Sequence, residues 1–335
     1  MRRSLPAVRR VAFLLLLVAC GSRTGLLLDE EFIGLPPGLD GGGLDGSDVP
    51  PVDASLEDVI PGIDARPPVD VDRRDCPDAE ALLVYTITST NQLQSFNPAT
   101  GQFRLIANIS CPAGKDVTNN SRDATPFSMA VDRKGIAYIL FTDERLYRVS
   151  GLTGACVATP FVPRQSGFRL FGMGFATNAG GPSETLYVAG DDQRRYPDGT
   201  RGVRGLGRID PETFKLTPVD DFPTGVDQAE LTGTGDGRLF AFYERPVQND
   251  NSPPAYIGEV DPQTARIIGE RRFETVDQGT GWAFAFWSGD FYMFHAPADR
   301  TVVTRWRPSD DSVTEIARSN LKIVGAGVST CAPQQ

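Results

Sequence analysis

An all-β fold built from repeated four-stranded units, a β-propeller, is what this 335-residue sequence predicts. Three observations carry the prediction. From Cys76 onward, short apolar runs alternate with Gly, Pro, Asp and Asn, and no sustained 3.6-residue apolar period appears. The chain holds 35 Gly and 26 Pro, a composition rich in turn formers. Two hairpin patterns also recur in alternation, at a spacing of roughly 40–60 residues, the period of a propeller blade.

Before the repeats come two segments of different character. Arg2, Arg3, Arg9 and Arg10 precede an apolar run over residues 11–19. That run is far shorter than the roughly 20 residues a membrane span needs, and has the length of a signal-peptide core. It ends in Leu17-Val18-Ala19-Cys20, followed by Gly21-Ser22. This stretch resembles the signal peptide and lipobox of bacterial lipoproteins. The resemblance implies cleavage before Cys20, lipidation of Cys20 with several acyl chains including palmitate, and stable membrane anchoring. Gly21 stands where such lipoproteins carry Asp when retained in the inner membrane, so the resemblance favours the outer membrane.

Residues 23–75 contain 13 acids against four Arg, a net −9 of the chain's −10. Aromatic residues are nearly absent, Pro-Pro recurs and Gly-Gly-Gly occurs once. Such a segment buries too little apolar surface to offset its ordering entropy, so it reads as a disordered linker. The expected organisation is a signal peptide over 1–19, a lipidated Cys and tether over 20–75, and the propeller over 76–335.

Each repeat opens with a hairpin. Copies run through Met129…Asp132…Gly135…Tyr138, Met173…Tyr187, Leu231…Asp236-Gly237…Phe240 and Ala283…Ser288-Gly289…Tyr292. Gly at the turn supplies the positive φ that tight hairpins require. The second half is another hairpin, with turns Asn97-Pro98-Ala99-Thr100-Gly101, Asp210-Pro211-Glu212-Thr213 and Asp261-Pro262-Gln263-Thr264. Arg307-Pro308-Ser309-Asp310 is a degraded copy, and Ser150…Thr153-Gly154 a copy without Pro. Asp or Asn followed by Pro suits a type I turn, with the side chain capping the turn amides. These turns resemble those of bacterial YVTN and quinoprotein-like repeat propellers, over residues 80–331.

First strands are expected near residues 128, 172, 229, 283 and 323, and the last has no room for a blade of its own. The first unit lacks an opening strand. Ring closure by the C-terminal strand reconciles the two and predicts five blades, with six as the alternative count. Closure brings Cys76 to Cys331, while Cys111 follows the outer strand of blade 1 and Cys156 lies in the corresponding strand of blade 2. An oxidising envelope permits both disulfides.

Function is less legible. A net charge of −10 excludes a general nucleic-acid binder. A single His excludes His-paired metal motifs, no nucleotide-binding glycine motif follows a strand, and no Gly-x-Ser-x-Gly elbow occurs. No catalytic, cofactor or metal-ligand set is assigned; calcium is the cofactor such loop acids could hold, and quinone-dependent oxidation is disfavoured because the propeller resemblance is confined to turn motifs. The loops joining second to third strands share a face with the interblade loops, and functional groups concentrate on such loops. Asp191, Asp192, Glu244, Arg245, His295 and Asp299 mark that candidate binding face. Trp282 is a candidate stacking platform, whereas Trp287 and Trp306 lie inside strand patterns and read as core. The expectation is an envelope lipoprotein binding a protein, peptide or glycan. The alternative is a propeller hydrolase, of glycosidase or calcium-dependent lactonase type, pairing Asp191 or Asp192 with Glu244.

Overall fold

A computed structural model describes residues 61–63, 76, 83–179, 181–245 and 253–334. The signal peptide, Cys20 and nearly all of the expected linker lie outside the described residues.

The strands are β1 (Val84–Thr88), β2 (Gln92–Asn97) and β3 (Gln102–Asn108), then a small hairpin of β4 (Lys115–Asp116) and β5 (Asn119–Asp123). Next come β6 (Pro126–Val131), β7 (Ile136–Phe141), β8 (Leu146–Ser150) and β9 (Cys156–Ala158). They are followed by β10 (Phe171–Thr177), β11 (Glu184–Gly190), β12 (Gly205–Ile209) and β13 (Leu216–Asp220). The fourth group is β14 (Asp227–Gly233), β15 (Leu239–Glu244), β16 (Ala255–Val260) and β17 (Ile267–Phe273). The last strands are β18 (Trp282–Trp287), β19 (Asp290–His295), β20 (Thr301–Arg307), β21 (Ser312–Ser319) and β22 (Ile323–Gly327).

These strands form five four-stranded antiparallel sheets, and the sheet of blade 1 runs β22-β1-β2-β3. The C-terminal strand therefore opens the first blade, with Tyr85 opposite Gly327 and Ile87 opposite Gly325. The protein is a five-bladed β-propeller. Both expected disulfides are present: Cys76 joins Cys331 and Cys111 joins Cys156. The first stands where blade 1 lacks a covalent turn between its first two strands. The second ties β9 to the chain leaving β3.

The turn chemistry is as the sequence implies. Asn97 Oδ1 accepts from the amide N–H of Ala99 at 3.0 Å, and Asp210 Oδ1 from those of Glu212 at 2.8 Å and Thr213 at 3.1 Å. Asp261 repeats the pattern with Gln263 at 2.8 Å. These amide donors hold the carboxyls of Asp210 and Asp261 below the usual range. The residue closing each turn is left-handed whatever its type: Gly101, Gly154, Phe214, Ala265 and Asp311 all have positive φ.

Around the axis the inner strands β6, β10, β14, β18 and β22 pack side by side. Small residues let them approach closely. A Cβ on Gly172 would lie 2.0 Å from the Ala229 carbonyl oxygen, and one on Gly233 2.2 Å from that of Phe175. Outside this ring, apolar side chains fill the spaces between blades. Phe273, Phe291 and Trp306 share one such cluster, with Phe291 and Trp306 stacked at 5.3 Å. Trp306 is buried and Trp287 partly so, both inside strands.

Two details differ from the expected outline. Residues 111–125, between blades 1 and 2, carry the β4–β5 hairpin, a pair of strands outside the repeat pattern. It has no apolar alternation to reveal it; Asp116 Oδ1 builds its turn by accepting from the Thr118 N–H and hydroxyl, 2.7 Å each. Pro61, Gly62 and Ile63, within the stretch read as linker, lie on blade 4. The Glu270 N–H of β17 donates to the Pro61 carbonyl at 2.8 Å, and Ile63 packs against the Phe273–Trp306 cluster.

Candidate functional site

At the axis, on the face carrying the second-to-third-strand loops, a cavity of about 310 Å³ opens. Inner strands form its walls: Phe127 at the start of β6, Glu230 on β14, Trp282 on β18 and Val324 on β22. Loops complete it with Thr142 from blade 2, Arg194 from blade 3, Thr280 before blade 5, Lys322 before β22, and Asp116 and Thr118 from the small hairpin. A narrower recess shares Phe127, Arg194, Glu230 and Trp282 with it and reaches Gly172 and Asp191.

Three side chains set its character. The Trp282 indole N–H donates to the Gln228 carbonyl at 3.0 Å, which fixes the ring at the mouth. Glu230 is buried on the floor and accepts from the Ser128 hydroxyl, across the axis, at 2.8 Å. Burial pushes its carboxyl pKa well above the ordinary value, against the lowering effect of the Ser128 and Met173 donors. The Arg194 guanidinium lies over the Phe127 ring at 5.5 Å and 3.8 Å from Asp191. Among the described residues its Nε finds no hydrogen-bond partner.

The six residues expected on this face have different fates. Asp191 is buried, borders the recess and accepts from the Gln193 N–H at 2.8 Å. Burial raises its pKa. Asp299 is exposed, and accepts from Thr280 Oγ1 at 2.6 Å and Lys322 Nζ at 2.9 Å, two groups of the cavity wall. Asp192 is half-buried beside them; its charge and that of Asp191 add to burial in raising Asp227. Glu244 is engaged elsewhere: it accepts from the Gln278 N–H at 3.0 Å, and burial, then Asp277, raises its pKa. Arg245 pairs with Glu270 and stacks on Tyr256 at 4.7 Å. His295 is buried, with Nδ1 at 2.9 Å from the Asp277 carbonyl and Nε2 at 3.0 Å from Thr304 Oγ1. Burial lowers its pKa.

Asp227 stands opposite Glu244 across β14 and β15; the charges of Asp192 and Asp191 act on Asp227, and that of Asp277 acts on Glu244. Among the described residues no group of three or more His, Cys, Asp or Glu is arranged to hold a metal ion. Sequence reasoning named Trp282 and the loop of Arg194, but missed Phe127, Glu230 and Lys322.

Comparison with known proteins adds two distant structural likenesses. One is to a chain in the crystal structure of a nidogen/laminin complex, at 10% identity and a TM-score of 0.43, covering 73% of this chain and 97% of that one. The other is to a protein from Lactobacillus plantarum, at 12% identity and a TM-score of 0.37, covering 74% and 72%. No family model matches the chain, and no curated protein matches it. The fold assignment rests on the strand order itself.

Proposed function

We propose that the protein is a lipid-anchored lipoprotein of the bacterial outer membrane whose propeller binds a ligand, a protein, peptide or glycan, at the axial cavity. The carrying observation is that cavity. It offers a fixed aromatic ring, a buried polar floor and a guanidinium with open donors, which is the make-up of a recognition pocket. Anchoring is supported by the pattern of residues 2–20, and the acidic stretch after Cys20 supplies a spacer. Asp191 and Glu244, a pair a hydrolase would use, each accept from a backbone N–H, which favours binding over hydrolysis.

The test uses the full chain. Feeding cells an alkyne fatty acid should label the wild type and not Cys20→Ala. On peptide and glycan arrays, binding should occur and be lost in Phe127→Ala and Trp282→Ala variants that melt like the wild type. Turnover on a glycoside and lactone panel, abolished by alanine at Asp191, Asp192 or Glu244, would replace the binding reading with the hydrolase.

A further inference from the structure

We propose that the axial cavity is a site for an acidic sugar, a pyranose carrying a carboxylate, held between the Trp282 ring and the Arg194 guanidinium. This rests on the reading of the cavity as the binding site, and deepens it.

Size comes first. At about 310 Å³ the cavity is at the small end of ligand pockets, suited to one or two sugar rings rather than a folded epitope. Its walls then fit a sugar's two surfaces. A pyranose presents an apolar C–H face and a girdle of hydroxyls. Trp282 supplies the matching apolar face at the mouth, immobilised through its N–H bond to Gln228, so little ordering entropy is lost on stacking. Hydroxyl groups of Ser89, Thr118, Thr142 and Thr280 line the same space.

Charge narrows the class. Arg194 and Lys322 line the cavity with two acids, Asp116 and Glu230. Glu230 is buried and already accepts from the Ser128 hydroxyl. Asp116 is committed to its own turn. Lys322 is held by Asp299. Arg194 is different. Among the described residues its side chain makes no hydrogen bond; it has only the 3.8 Å approach to Asp191 and the ring of Phe127. A planar fork of five donors positioned by an aromatic face is matched by a carboxylate, which accepts two parallel N–H bonds. A neutral sugar would leave that fork unused.

Titration calorimetry separates the outcomes, using oligomers of glucuronate and galacturonate, the neutral glucose and galactose oligomers, and peptides with a free C-terminal carboxylate. The acidic oligomers should bind at least roughly tenfold tighter than the neutral ones, and the preference should shrink in high salt. Arg194→Ala should remove the preference while leaving residual neutral binding, Arg194→Lys should restore part of it, and Trp282→Ala should abolish both. Binding that depends on Trp282 but ignores the carboxylate, or that selects the peptides, overturns the acidic-sugar assignment and leaves the binding module standing. Binding of any ligand unaffected by Trp282→Ala and Phe127→Ala overturns the site itself.

Discussion

Glu184 sits where three parts of the chain meet. One carboxylate oxygen accepts from the Arg133 N–H in the turn of blade 2 at 2.8 Å, the other from the Thr330 hydroxyl beyond β22 at 3.0 Å. Burial dominates its environment and raises its pKa to about 7; the Asp132 charge adds to this, while the two donors and Arg133 oppose it. The folded state thus holds a proton that the unfolded chain releases at the ordinary glutamate pKa. Stability from this group is complete below about pH 4.3, and is lost as pH rises through 7. The loss is at most about 4 kcal/mol. Glu184→Gln keeps an acceptor for Arg133 and removes the titration. It should therefore be more stable than the wild type at pH 8, and equal to it at pH 4. Urea melts at pH 4, 6 and 8 measure the difference; a constant gap at all three would show that Glu184 does not titrate in this range.

At the scale of strands, backbone proximity around the axis decides what is tolerated. Gly172 on β10 faces the Ala229 carbonyl of β14, and the 2.0 Å left for a Cβ is filled by backbone, which cannot swing aside as a side chain can. Gly172→Ala should cost more than about 3 kcal/mol, a fall in Tm of roughly 10 °C. A Cβ on Gly181 would meet nothing within 4 Å, so Gly181→Ala should melt with the wild type. Equal melting of both variants would contradict the close packing of the inner strands. The same scale explains what was legible in the sequence. Strand starts were readable because each hairpin must place Gly, Asp or Asn at a fixed point, and the observed inner strands begin within two residues of those expected. The β4–β5 hairpin was not, because a polar turn on Asp116 leaves no apolar period. The cavity was only half legible. Trp282 and Arg194 stand out by type, but Phe127 looks like any core aromatic, and Glu230 becomes a floor only once β14 faces β6 across the axis. Glu244 and His295 illustrate the converse: chemistry-bearing side chains on the right loops, turned to backbone partners that only the fold reveals.

For the whole molecule, the critical event is closing the ring. Every blade but the first has its inner two strands joined by a covalent turn. In blade 1 they come from opposite ends of the chain, β22 and β1, and meet only through strand hydrogen bonds. The Cys76–Cys331 disulfide replaces the missing turn, and the Arg133 guanidinium braces it, at 3.3 Å from Thr330 Oγ1 and 3.6 Å from the Cys76 sulfur. In the chain-entropy account the stabilisation grows with the loop closed. A separation of 255 residues gives about 5–6 kcal/mol and one of 45 residues about 4 kcal/mol, before any native strain. The two bonds should therefore differ in size and, more tellingly, in place. Replacing Cys76 and Cys331 together by Ala should lower Tm by roughly 10–15 °C. It should also selectively release the amides of β22 to hydrogen exchange, because that strand is held on one side only by β1. Replacing Cys111 and Cys156 should lower Tm less and leave β22 protected, since β9 is an outer strand whose fraying does not open the ring. Exchange mapped by mass spectrometry on both double variants distinguishes a molecule that fails at its seam from one that loses stability evenly. Unchanged protection of β22 without Cys76–Cys331 would mean that the strand hydrogen bonds alone close the propeller.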